Sequence, residues 1–471
     1  MTKTEFETFS ETLLNQLKNE NKGCLETIEI NAKVIENYLN GQDLSSLKKF
    51  VNDFNDTVVE AQVKKYKLFE KVLNHKLFND VIAEFRKSDV LIRACKKVNK
   101  TAVEWLLTMN IDPNVQDENG MTALMHAAEH ASTDFAVSKL LNEKSANMVD
   151  NNGNNVLFHA TNAPDILKKL LKSKINMNRL NNDGEDALLY SCRYDKIRAY
   201  EILMKEKNAN INCLNRVGMT PAMYLVENAR YREVESLIKS GKVDPNYSNK
   251  FGNTLVSVFI KKYYQQYIGN IGETNYASKF NYIITKNYAL TLRVLIDLGC
   301  DFNKPIDTDG NTPIIALLMM KDYVSAKYLI DKYKNLDLSI KNKYGVSGSS
   351  FKRLIDKKVF DVMEYNKKRN SSSISCEALV KAIGEHKTYE DDATYAPENA
   401  ENGDVSIQKA IENSYPIRPE IAKIAEQWVL EVLFPNAGAV ITLGGNSYNK
   451  DDPNSFGSLM TKNLTYGLGT Y

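Results

Sequence analysis

One glycine recurs through the middle of the chain at nearly constant spacing. It ends the triplets Glu-Asn-Gly120, Asn-Asn-Gly153, Asn-Asp-Gly184, Arg-Val-Gly218, Lys-Phe-Gly252, Thr-Asp-Gly310 and Lys-Tyr-Gly345. Successive intervals are 33, 31, 34, 34, 58 and 35 residues. A period of that size suits one supersecondary unit repeated in tandem, too small to bury its own apolar face and therefore stacked on its neighbours. The long interval exceeds the period by about 24 residues, which places an insertion in one unit.

The surroundings of the glycine repeat too. Two residues on stands Thr122, Thr220, Thr254 or Thr312, followed by Pro221 and Pro313 or by Ala123 and, in the third unit, Ala187. Six residues before it stands Asn114, Asn147, Asn178, Asn212 or Asn246, with Asn303 one place out of register. An apolar pair precedes each tip, from Leu106-Leu107 through Leu140-Leu141 and Leu170-Leu171 to Leu329-Ile330. With Gly120-Met-Thr-Ala-Leu-Met-His-Ala-Ala and Gly310-Asn-Thr-Pro-Ile-Ile-Ala-Leu as the nearest matches, the segment resembles the ankyrin repeat family. The resemblance implies an all-α fold: an ankyrin-repeat solenoid of helix pairs with β-hairpin tips, flanked by an N-terminal helical region and a C-terminal tail.

Elementary stereochemistry accounts for the pattern. Glycine suits a chain reversal at positive φ, a conformation that costs other residues about 1 kcal/mol or more. Threonine then caps the first helix, and proline in its first turn forfeits no hydrogen bond. The asparagine is expected to bond to backbone and hold the turn after the second helix. The second and third units, Gly153-Asn-Asn-Val and Gly184-Glu-Asp-Ala, lack the Thr-Pro step, so weaker local order is expected there.

The repeat array is placed at residues 87–370, with the insertion at about 263–286 between the two helices of one unit, lengthening both. Asp89–Leu107 reads as an opening helix pair and Ser350–Lys368 as a closing one. Residues 1–86 carry apolar residues at helical spacing and are expected to form two or three helices capping the array, a coiled-coil dimerisation arm being the alternative. Residues 371–405 read as a linker. Residues 406–434 contain an amphipathic helix whose stripe is Ile421, Ile424, Ala425, Trp428 and Val432, and 435–471 read as a flexible tail.

Composition bears mainly on what the chain is not. Lysine and arginine number 61 against 59 aspartates and glutamates, which argues against a nucleic-acid coat or a polybasic membrane anchor. The six cysteines are scattered without a Cys-x-x-Cys pair, as expected of reduced thiols inside a cell. The first residues show no signal peptide and no window is long and apolar enough to span a membrane, so an intracellular, cytoplasmic protein is expected. Gly438–Gly445 lacks the Lys-Ser/Thr of a phosphate loop, and no nucleophile elbow or kinase motif occurs. His126 and His130 lie four residues apart, but the sequence suggests no third ligand, so no metal or cofactor is expected.

What remains is surface. The resemblance implies binding of proteins through hairpin tips and the inner faces of the first helices. Val217, Met219, Tyr247 and Phe251 put apolar side chains at two adjacent tips, where polar ones are usual. His126, His159, Tyr190 and Tyr224 each stand six residues after a tip glycine and should form a column, either packed as spacers or displayed as a ladder. The insertion adds Tyr263, Tyr264, Tyr267, Tyr276, Phe280 and Tyr282, suited equally to recognition and to a small private core. The expected function is that of a protein-binding adaptor or scaffold with no catalysis of its own. It would act as a monomer on a protein partner, without nucleic acid. The alternative is a regulatory or targeting subunit of a kinase, phosphatase or ubiquitin ligase complex.

Overall fold

The computed structural model describes residues 3–40, 44–173, 175–264, 279–319, 322–343 and 345–351, together with 432–433, 441–443 and 446–448. The linker, most of the amphipathic helix and of the tail, the closing helix pair beyond 351 and the turn of the insertion lie outside these residues. Two compact units divide the chain, residues 1–216 and 217–471.

The first unit opens with helices Lys3–Lys18, Cys24–Ile30, Ala32–Tyr38, Leu44–Glu60, Lys67–Leu73 and Asn79–Arg86. That is more pieces than the two or three expected. The extra breaks fall at Asn19–Gly23, where Glu20 has φ 50°, at Asn31, and at the non-helical run after Ala61. Phe50, Phe54, Phe69, Phe78 and Phe85 are fully buried between these helices. Their cluster continues into the first repeat: Phe54 meets Phe85 edge-on at 5.5 Å, and Tyr66 stacks on Trp105 at 4.7 Å. The apolar stripes of the N-terminal helices are thus spent covering the exposed end of the array. Burying several aromatic rings there contributes on the order of 2 kcal/mol each.

Repeat helix pairs follow as Val90–Lys96 with Lys100–Leu106, Ala123–Ala128 with Asp134–Leu140, Val156–His159 with Pro164–Leu171, and Ala187–Arg193 with Ile197–Leu203. Threonine caps the first helix where it is present: the Thr122 hydroxyl accepts from the Met125 amide at 3.3 Å. Where it is absent, Asn155 accepts from Leu157 at 3.0 Å and Asp186 from Leu189 at 2.8 Å. The two divergent repeats therefore keep a capped helix by substituting another short acceptor.

In the second unit the pairs are Pro221–Glu227 with Tyr231–Lys239, Leu255–Tyr264 with Lys279–Asp297, and Pro313–Met319 with Tyr323–Lys332. The insertion lengthens both helices of its repeat, to 10 and 19 residues. Tyr263 begins it yet belongs to the core: it is 2% exposed and donates to Asp322 Oδ2 at 2.5 Å. Strands among the described residues are confined to the antiparallel pair Ile441–Leu443 and Asn446–Tyr448, with single bridges at two tips, Gln116–Thr122 and Lys341–Ser347.

Candidate interaction surface

Each tip is a tight reversal closed by one glycine and one short polar residue. All seven tip glycines have φ between 74° and 80°. At Gly120 a β-carbon would also stand 2.8 Å from the Asn151 backbone nitrogen of the next tip, so both conformation and space require glycine. Three residues earlier stands Asp117, Asp150, Asn181, Asn215, Asn249, Asp307 or Asn342. The side-chain oxygen of Asp117 accepts from the amides of Asn119 at 3.0 Å and Met121 at 2.9 Å, and Asn249 does the same for Phe251 and Asn253. This residue was not singled out from sequence, although its period matches the glycine's in every unit.

Neighbouring tips are tied together. In the first unit Asn151 N–H donates to Asn119 O at 2.9 Å and Asn182 N–H to Asn152 O at 2.8 Å. In the second, Asn249 Nδ2 donates to Val217 O at 3.2 Å. Some of the asparagines before the glycine also reach beyond their own turn, while Asn114 and Asn147 bond locally to Asp112 and Glu143. Asn178 Nδ2 donates to Asn208 O at 2.9 Å, and Asn303 both donates to Asn335 O and accepts from the Asp337 amide. These residues bridge adjacent repeats rather than holding only the local turn.

The apolar tips behave as a pair. Val217 is 49% exposed and Phe251 63%, while Met219 and Tyr247 are half-buried. Lys250 Nζ lies 5.1 Å from the centre of the Phe251 ring, which leaves the other face of that ring open to a partner. The tip geometry is rigid, so these side chains lose little freedom on contact.

The column of ring residues lies inward. His126 and Tyr224 are buried, His159 nearly so, and Tyr190 half-buried. Tyr190 meets Phe158 edge-on at 5.2 Å and Tyr194 at 4.4 Å. The histidines are engaged in a polar chain. Lys96 Nζ reaches Asp117 Oδ2 at 2.8 Å, and His126 Nε2 reaches the same oxygen at 2.9 Å. Glu129 lies between the rings, 3.5 Å from His126 Nδ1 and 3.3 Å from His159 Nδ1. His159 Nε2 then meets Asp150 Oδ2 at 3.2 Å. These are packed spacers with a hydrogen-bonded floor, not a ladder displayed to solvent.

The chain perturbs its members. Burial would raise the Glu129 carboxyl, but hydrogen bonds from His126 and His159 outweigh it and bring it down to about 2. Burial likewise opposes ionisation of Asp117, and Lys96 and His126 overcome it, holding the carboxyl well below the usual range. Burial would lower His159, yet Asp150 and Glu129 on its two nitrogens raise it above the ordinary imidazole value. His130 is exposed, and among the described residues no group of three or more His, Cys, Asp or Glu is arranged to hold a metal. Cys24, Cys95, Cys192, Cys213 and Cys300 are buried free thiols. No helix among the described residues is long and apolar enough to cross a membrane.

Helix pairs joined by glycine-closed tips and repeated in tandem within each unit define a stacked helical-repeat protein. Ankyrin repeats are present in this chain: the family model described as ankyrin repeats (3 copies) matches residues 91–181 and 160–249. Comparison with curated proteins gave no match. Among solved structures, the chain is similar to one from a complex of the Bd0816 predatory endopeptidase of Bdellovibrio bacteriovorus with the immunity protein Bd3460. That match is 30% identical, covers 36% of this chain and 91% of the other, and has a TM-score of 0.32. The ankyrin repeat domain of Bcl-3 is 18% identical over 48% of this chain and 92% of its own, with a TM-score of 0.37. The ankyrin repeat protein EF0377 is 22% identical over 46% of this chain and 100% of its own, with a TM-score of 0.35.

Proposed function

We propose that this chain is an adaptor or scaffold without catalysis of its own, and that its protein partner contacts the tips around Val217, Met219, Tyr247 and Phe251. The observation that carries this reading is the exposure of Val217 and Phe251 on adjacent rigid tips joined through Asn249. Exposed apolar groups fixed in place are costly to leave uncovered and cheap to order on binding. The buried free thiols support a reducing, intracellular setting.

The test is proximity labelling with the full chain and with the double variant Val217→Ser, Phe251→Ser, accompanied by a melting curve. Truncating interface anchors typically costs about 2 kcal/mol or more in all, so a direct partner should bind at least about tenfold more weakly. The melting temperature should hardly move, because both side chains are largely exposed at the tips. Partner labelling unchanged in a folded double variant would remove the tip patch from the reading. A single enzyme retained as the constant partner would favour a regulatory subunit over a general scaffold.

A further inference from the structure

His159 occupies an unusual place in the joint between two repeats. Both of its ring nitrogens face carboxylate oxygens, Glu129 Oε1 at 3.3 Å on the preceding repeat and Asp150 Oδ2 at 3.2 Å on its own tip. A neutral imidazole has one N–H and one lone pair. It can therefore satisfy one of these carboxylates and must turn a lone pair toward the other. Only the imidazolium donates to both. His126 also faces two carboxylates, but unequally: Asp117 Oδ2 stands at 2.9 Å from Nε2 and Glu129 Oε2 at 3.5 Å from Nδ1, so one N–H serves its shorter contact.

We propose that His159 is a proton-operated clasp between these two repeats, closing their joint as imidazolium and loosening it when neutral. The neighbouring charges reinforce this. From the preceding repeat the joint receives Glu129 and His126, and behind them Asp117 with Lys96. From its own tip comes Asp150, whose Oδ2 also accepts from Asn154 Nδ2 at 3.1 Å. From the following repeat comes Tyr190, while Arg193 there is occupied by Asp183 and Glu185. With His159 neutral, the Asp117, Glu129 and Asp150 carboxylates retain Lys96 as the fixed cation of the group. The side chains of Asp150 and His159 are 4% and 11% exposed, so water screens the imbalance poorly. Glu129 and Asp150 both sit below their ordinary carboxyl range, so they stay ionised throughout the histidine titration.

The sign follows from linkage. A histidine whose folded value is raised contributes stability that is complete below its unfolded value of about 6.5 and is lost as pH rises through the folded one. The Asn151 amide, bonded to Asn119 O across the same joint, is a direct reporter of opening.

Hydrogen exchange of the full chain at about pH 6 and about pH 8, corrected for intrinsic rates, tests the clasp. The opening constant rises by the factor by which the histidine's folded midpoint exceeds its unfolded one. Peptides spanning Ala123–Ala128 and Asn151–His159 should therefore lose severalfold more protection at the higher pH than the Leu44–Glu60 helix. Glu129→Gln should abolish that difference and return the His159 proton signal, followed by NMR, toward its ordinary midpoint. Glu118→Gln on the exposed tip, an equal change of charge, should preserve it. Equal protection at both pH values in the unmodified protein overturns the proposal. So does loosening by Glu129→Gln that is the same at both pH values, which would mean a merely structural contact.

Discussion

Replacing Asp186 by threonine should stabilise the protein at neutral and alkaline pH and do nothing in acid. Asp186 caps the first helix of its repeat, accepting from Leu189 N–H at 2.8 Å, and is completely buried. Its second oxygen, Oδ2, has no conventional hydrogen-bond donor. Burial, with the Glu185 charge beside it, pushes the carboxyl from 3.8 up to about 6, against the opposing backbone bonds. A shift of that size is worth about 3 kcal/mol at 1.36 kcal/mol per unit, an upper figure once structural relaxation is allowed. Threonine occupies the same repeat position at Thr122, also buried, where its hydroxyl caps with no charge to desolvate. The exchange should therefore gain about 1–2 kcal/mol above pH 7. The folded value is raised, so no penalty exists below about pH 4, where the carboxyl is protonated in both states. The penalty grows as pH rises from about 4 to about 6 and is complete above that. Urea unfolding of both proteins at about pH 4, 6 and 8 reads the difference. A midpoint for Asp186→Thr that is lower at pH 8, or raised equally at all three, would refute the reasoning.

Two further changes probe the second unit. Gly218→Val should destabilise by about 1–3 kcal/mol, since Gly218 has φ 74° and its new β-carbon would meet Asn249 Cβ at 3.0 Å; an unchanged urea midpoint would contradict this. Tyr263→Phe removes the donor to the fully buried Asp322, whose carboxyl burial already raises. It should cost about 1–3 kcal/mol and push that carboxyl further up, so the loss should be larger at pH 8 than at pH 4 by urea titration.

The array was legible because its logic is local and periodic. A glycine at every positive-φ reversal, a cap two residues on and an apolar pair in the second helix each follow from backbone geometry and from the need of one unit to cover another. The Asx residue three before each glycine is equally periodic, and it is the side chain that closes the tips. Capping by Asn155 and Asp186 could also have been inferred, since both are good caps at the position threonine holds elsewhere.

Other features depend on residues far apart in sequence. His126 and His159 share a column by period alone, but nothing in that period says that Glu129 lies between their rings. Nor does it say that the column is buried while Val217 and Phe251 stay exposed. Tyr263 stood among insertion aromatics suited equally to recognition and to a private core, and its partner is Asp322, 59 residues away. A sequence period specifies the type of each repeat and its turn, because those are set by backbone stereochemistry within one unit. Which charges meet, and which rings are covered, is set by the stacking of one repeat on the next, where burial changes the cost of every unpaired group.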